Sequence, residues 1–296
     1  MQESTNIVYT SNNPKLDYKK IIFRIINGNF DYFLGRFLFV RNLYSRYRKL
    51  QQLFRQKPVS SIQPSQLKDY QKFNIDSIVN NIHENSYFDQ LEMKQESVTP
   101  IIEFAKNSKL TSPSYSFDFT YQEYHEQLKN KERIAIARVK NPLEIEQTLQ
   151  LRHDSFLLEI AEKYLGYYPD NCDVMLWWSF ASNLSSEDRR SQFQTIDYHY
   201  DVHGLNFFYI SFYLTDVNVN SGAHRLVKSS HKNKKLWMLL RSARFPDEII
   251  HHYYSKEQII TIEGNVGKCF LEDASCFHKA LPPIEKERLF LQLRFF

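Results

Sequence analysis

Two rhythms of apolar and polar positions divide this chain. In 18–55, Phe33, Phe37, Val40, Tyr44, Tyr47 and Phe54 recur at steps of three, four or seven, the spacing of one side of an α-helix. Arg36, Arg46, Arg48, Lys49 and Arg55 fill other positions, so the segment reads as a basic amphipathic helix. Segment 57–66, with two prolines and three serines, reads as a linker, and polar 1–14 as disordered. Residues 67–165 carry mainly helical spacing, with Pro142 placed to open a helix over 143–165. Only 133–139 alternates as a strand there. Past Pro169 the rhythm changes to short β-branched or aromatic runs at 174–180, 207–214, 258–262, 268–271 and 289–295. Turn residues at 218–222, 264–267 and 282–283 separate them. Short strands so punctuated predict a β-sandwich or barrel. The expected fold class is α+β, with a basic helical arm at 1–60, a mainly helical support at 61–140 and a β-rich core at 141–296.

Composition narrows the function classes. At 296 residues and 42% apolar content, the chain holds one catalytic domain with an extension. Seven glycines, with no G-x-G-x-x-G and no Walker pattern, argue against a phosphate-cradling fold. Cys172, Cys269 and Cys276 form no C-x-x-C pair, which fits a reducing compartment. The first residues lack the apolar stretch of a secretory signal, so a cytoplasmic protein is expected. The net charge of +4 conceals 11 Lys/Arg against 3 Asp/Glu in residues 1–60. No nucleic-acid partner is expected from a basic excess so confined. The 18–55 helix has three readings: a face packed on the protein, a dock for an acidic carrier protein or subunit, or an anchor on an anionic membrane surface.

Chemistry concentrates in 197–203, Asp-Tyr-His-Tyr-Asp-Val-His. On a strand, residues i and i+2 share a face, so His199 and Asp201 can offer an imidazole nitrogen and a carboxylate oxygen to one metal. Two histidines and one carboxylate with open positions suit a non-haem iron oxygenase. His278 supplies the third ligand in this reading, on a later strand 77 positions after Asp201. Arg288, ten residues further on, opens the alternating run that ends at Arg294. A buried arginine there can grip a carboxylate through parallel hydrogen bonds. Rivals exist: His231, with Arg241 ten residues later, for His278, and Arg294 for Arg288. His203 is either a contact near the site or a structural histidine. Tyr198, Tyr200, Trp178 and Phe207, together with His203, are candidates for a substrate pocket by position alone. Asp216–Gly222 fails as a calcium loop, because its glycine is misplaced and position twelve is Val227. No G-x-S-x-G supports a serine hydrolase.

Taken together, the H-x-D, the Leu214-Thr-Asp216-Val turn with Asn220-Ser-Gly222, Ser229-Ser-His231, the block ending in His278 and the spaced Arg288 resemble the phytanoyl-CoA dioxygenase-like family. The resemblance covers roughly the last 125 residues. It departs where the family's P-G-S-H is Lys228-Ser-Ser-His231, and where Ala280 stands in place of a serine some members carry. It implies a double-stranded β-helix (a jelly roll, cupin-like), with Fe(II), 2-oxoglutarate and O2 as cofactors. It assigns the iron to His199, Asp201 and His278, and favours Arg288 for 2-oxoglutarate. The implied reaction hydroxylates an unactivated C–H bond of a small-molecule substrate in a biosynthetic tailoring pathway, releasing succinate and CO2. The intact Asp201 argues against halogenation, for which relatives leave that position empty. Two alternatives stand beside this: a cupin-like metal enzyme without 2-oxoglutarate, and a jelly-roll binding protein without activity.

Overall fold

All six residues of the run Phe208–Tyr213 are buried, which demands cover on both faces of the strand. The computed structural model, which describes residues 30–54, 63–128 and 134–296, shows what supplies it. The described strands, in chain order, are β1 (Tyr87–Glu92), β2 (Leu110–Thr111), β3 (Asp118–Phe119), β4 (Ile136–Val139), β5 (Cys172–Ser179), β6 (Tyr198–His199), β7 (Phe208–Tyr213), β8 (His224–Val227), β9 (Arg244–Phe245), β10 (Ile259–Ile262), β11 (Lys268–Glu272), β12 (His278–Ala280) and β13 (Arg288–Phe295). They build an eight-stranded sheet in the order β1-β11-β7-β13-β5-β4-β2-β3 and a five-stranded sheet in the order β10-β8-β12-β6-β9. The two sheets are consistent with a jelly roll.

Side-chain alternation sorts the larger sheet into two faces. Phe208, Ile210 and Phe212 join Leu289, Leu291 and Leu293 in the main core. That core is shared with helices α3 (Ile75–Asn85), α4 (Gln95–Asn107), α5 (Glu146–Arg152) and α6 (Ser155–Leu165), which follow α1 (Phe30–Leu34) and α2 (Leu38–Gln52) in the chain. The opposite face sends Tyr213, Phe270, Phe290 and Trp177 against Leu226 and Ile262 of the smaller sheet. Each large apolar side chain so buried contributes about 1.5–3 kcal/mol.

Two expectations change. The single helix over 143–165 is instead α5 and α6, broken at Asp154. Asp154 is fully buried; its Oδ1 accepts from the Phe156 and Leu157 amides at 3.0 and 3.2 Å. Its Oδ2 accepts from Ser65 Oγ and the Gln66 amide, both at 2.8 Å, so one carboxylate caps α6 and fastens the preceding chain to it. The region 61–140 contributes β1, β2, β3 and β4 to the larger sheet, where its sequence shows one strand. An irregular register between Phe88 and Leu91 breaks the alternation of β1, and β2 and β3 are two residues each, too short to carry a period.

The basic helix buries part of its charge. Arg41 and Arg48 of α2 are buried, while Phe39, Leu43, Tyr47 and Leu50 are exposed. Only part of the expected aromatic face looks inward, where Tyr44 meets Tyr167 edge-on at 5.8 Å. The arginines go in because the protein supplies acceptors. Arg41 finds Asp273, Asn206 and Ser275, and Arg48 finds Asp170 at 2.6 Å. Gly35, between α1 and α2, permits the close approach, since a Cβ there would overlap the Gly204 carbonyl. Of the expectations for the N-terminal region, 1–14 and most of the linker lie outside the described residues.

Candidate metal centre

β6 and β12 pair antiparallel with His199 directly opposite His278, and the two imidazoles lie 4.2 Å apart between centroids. Asp201 follows just beyond β6, where its amide donates to the Ala274 carbonyl at 2.8 Å. Its carboxylate oxygens lie 3.7 Å from His199 Nε2 and 3.9 Å from His278 Nε2. One ligand atom from each of the three falls within 4.8 Å of the others. Such a cluster can clasp a single ion.

Each ring is oriented in the same way. The Asp197 carbonyl accepts from His199 Nδ1 at 3.0 Å, and the Cys276 carbonyl accepts from His278 Nδ1 at 3.1 Å. A proton on each Nδ1 leaves Nε2 bare and aimed at Asp201. Burial, with His278 and Arg244 nearby, pushes the His199 imidazole down to about 3 against the pull of Asp201. Its neutral form is the one that ligates. Tyr209 donates to Asp201 Oδ2 at 2.9 Å and holds the carboxylate in place. The Asp201 side chain stays one-third exposed while both histidines are buried, so the cluster opens toward solvent on the carboxylate side.

Arg288 begins β13 on the face turned toward the smaller sheet, and it is buried. It donates to the Gly222 carbonyl and lies 3.4 Å from Ser179 Oγ, with its guanidinium 4.8 Å from the Phe290 ring centre. Gly222 has φ +90°, a conformation suited to glycine, and a Cβ there would come within 3.3 Å of the Leu281 carbonyl. Arg288 Nε has no hydrogen-bond partner, and among the described residues no carboxylate pairs with this arginine. Burial lowers its pKa, with Tyr213 opposing. Ring contacts lead from it to the histidines: Phe290 to Phe270 at 5.9 Å, Phe270 to His224 at 5.2 Å, His224 to His278 at 5.3 Å. Arg294, the rival, already pairs with Asp173. His231 lies elsewhere, with Nε2 donating to the His83 carbonyl at 3.0 Å, and Arg241 stacks 5.4 Å from the Trp237 ring centre.

The pocket candidates separate. His203 and Phe207 stay near the cluster, since Phe207 packs at a tilt against Tyr209 at 5.4 Å and His203 meets Phe207 edge-on at 6.3 Å. Tyr198 and Tyr200 flank His199 on the strand and therefore point to its other side, into an apolar cluster with Phe245, Ile250 and Phe277. Trp178 faces the helices, its indole donating to the Ala105 carbonyl at 3.3 Å, while its neighbour Trp177 faces the sheet interior. These three are corrections to the sequence reading, and alternation is the reason for each.

Sequence reading missed Glu272 and His224. Glu272 is buried, with Oε2 2.9 Å from His224 Nε2 and Oε1 3.5 Å from His278 Nδ1. Burial opposes its charge, yet His224 and His278 outweigh it and hold the carboxyl down to about 2. A metal-ligating histidine backed by a carboxylate keeps its orientation and gains basicity. The position of Glu272 on the same strand parity as Phe270 was the available signal. The Cys276 thiol donates to Glu272 at 3.4 Å, and burial pushes its pKa well up, which removes it as a nucleophile.

No family model and no curated protein sequence matches the chain. Among solved structures it is similar to the epimerase SnoN in complex with Fe3+, alpha ketoglutarate and nogalamycin RO, with 13% identity over 75% of this chain and 83% of that one, TM-score 0.51. It is likewise similar to EvdO2 from Micromonospora carbonacea var. aurantiaca complexed with 2-oxoglutarate, with 11% identity over 74% of this chain and 89% of that one, TM-score 0.50. At such identities the shared property is the fold.

Proposed function

We propose that this protein is an Fe(II)- and 2-oxoglutarate-dependent oxygenase of the phytanoyl-CoA dioxygenase-like type, built on a double-stranded β-helix, that hydroxylates a small-molecule substrate. The observation that carries the reading is a buried arginine with no carboxylate partner among the described residues, in the interior that also holds a two-histidine, one-aspartate cluster. A dicarboxylate co-substrate answers both features, one end reaching the metal and the other Arg288. That SnoN and EvdO2, of like fold, hold alpha ketoglutarate or 2-oxoglutarate supports this choice.

His199, Asp201 and His278 would hold the iron, and Arg288 the far carboxylate of 2-oxoglutarate. Iron and 2-oxoglutarate, with O2, would supply a two-electron oxidation of a C–H bond, the co-substrate leaving as succinate and CO2. The chain's own contribution is placement. The Asp197 and Cys276 carbonyls fix both imidazoles, Tyr209 fixes Asp201, and burial strips water from Arg288 so that its charge acts at full strength. A substrate would enter on the side where Asp201 is exposed.

The test is anaerobic addition of Fe(II), then 2-oxoglutarate, to metal-free protein, followed by visible absorption. A weak charge-transfer band that Asp201→Ala abolishes is the expected result. Iron binding without the band would move the assignment to a metal enzyme that does not use 2-oxoglutarate. No iron binding by folded protein would leave a binding protein without this chemistry.

A further inference from the structure

Helix α2 buries two arginines and exposes large apolar side chains. Arg41 and Arg48 turn inward beside Tyr44, while Phe39, Leu43 and Leu50 stand 76%, 56% and 59% exposed. At 100° per residue these three fall within one narrow stripe, opposite Arg41. Phe54, just past the end of the helix, is 89% exposed. A water-facing stripe of large apolar side chains on consecutive turns marks an interaction surface.

Charge selects the occupant. Between positions 32 and 68 the sequence has eight Lys/Arg and no Asp or Glu. Arg46 and Lys49 border the stripe, exposed, with no ion pair among the described residues. A second copy laid on this face would bring those cations against each other with no acid in the helix to answer them. A lipid headgroup region admits an apolar stripe flanked by cations without a complementary groove. We propose that α2 seats the protein on an anionic phospholipid surface, its apolar stripe entering the headgroup boundary and Arg46 and Lys49 meeting lipid phosphates. The buried Arg41 keeps the helix fixed to the protein, so the whole domain would be held at the surface in one orientation.

The experiment is co-sedimentation of the full chain with vesicles of phosphatidylcholine alone or mixed with phosphatidylglycerol, at low and raised salt. It needs neither iron nor 2-oxoglutarate, so it stands or falls apart from the proposed activity. Binding to the mixed vesicles only, weakened by salt, is expected. Arg46→Gln with Lys49→Gln should weaken it roughly 25-fold, from about fivefold per cation. Leu43→Ser with Leu50→Ser should weaken it on the order of a hundredfold. Both pairs alter exposed positions, and circular dichroism of each should match the parent. Absence of vesicle binding by the parent chain overturns the proposal, as does binding that neither variant pair changes. A dimer in gel filtration that Leu43→Ser with Leu50→Ser dissolves, without vesicle binding, would assign the face to a second copy. Retention by an acidic protein without vesicle binding would assign it to that partner. Either outcome overturns the lipid assignment.

Discussion

The Arg41 guanidinium on α2 meets the Asp273 carboxylate at 3.0 Å with both side chains withdrawn from water. The same arginine donates to Asn206 Oδ1 from Nε and Nη2, at 3.0 and 2.8 Å. Asn206 lies five residues after Asp201 and Asp273 lies five before His278, so one N-terminal side chain braces both segments that carry the proposed ligands. Tyr164 of α6 also donates to Asp273, at 2.5 Å. Arg41→Ala would leave a buried carboxylate without its cation, and the expected loss is about 3–5 kcal/mol in urea unfolding. A loss below about 1 kcal/mol would mean that the pair is no better than a surface ion pair.

Removing Arg288 should separate co-substrate binding from metal binding. Arg288→Ala is expected to weaken 2-oxoglutarate binding to the anaerobic Fe(II) protein by on the order of a hundredfold or more in calorimetry, the cost of stripping the partner from a buried carboxylate. Iron affinity should stay within a few-fold of the parent. Equal 2-oxoglutarate affinity in parent and variant would remove Arg288 from this role.

Tyr209→Phe and Glu272→Gln test the side chains that touch the proposed ligands. Tyr209 bonds Asp201, and Glu272 lies against His278. Each change is expected to lower iron affinity about 10–100-fold in competition with a chelator, with the fold retained. Affinity unchanged in both would show that the backbone carbonyls alone orient the histidines.

Acid should destabilise the metal-free protein in a defined window. Burial pushes His199 down to about 3 and His231 down to about 4. In the unfolded chain each takes a proton near pH ~6.5. The unfolded state therefore binds more protons below that point, and stability falls as pH drops from about 6.5 toward 3, by up to about 1.4 kcal/mol per pH unit for each histidine. Urea midpoints measured between pH 7 and pH 4 check this. His231→Gln, which keeps a donor for the His83 carbonyl, should flatten the slope by about one proton's worth.

Gly35→Ala probes the elbow between α1 and α2. The added methyl would overlap the Gly204 carbonyl and crowd Val202. A loss of about 1–3 kcal/mol is expected from thermal unfolding. An unchanged midpoint would show that the elbow gives way easily.

Chemistry at the candidate site was legible wherever it followed strand period. His199 and Asp201 share a side because they are two apart, and His278 reaches them because β12 pairs with β6. The five runs after Pro169 became β5, β7, β10, β11 and β13, since short apolar runs between turn residues have few other ways to be satisfied. Asp154 ended a helix that apolar spacing alone would have continued, because its carboxylate serves two chain segments at once.

The sequence by itself determined that 18–55 has an amphipathic helical pattern, that the C-terminal half is β, and that His199, Asp201, His278 and Arg288 stand at spacings suited to one site. Periodicity defines faces; it does not say which face turns inward. That was decided by tertiary partners distant in sequence: Asp273 and Asn206 for Arg41, the helices for Trp178, and the cluster around Phe277 for Tyr198 and Tyr200. A buried arginine is stable only beside acceptors, and an aromatic ring goes wherever apolar surface is left to cover, so only the folded chain could settle both.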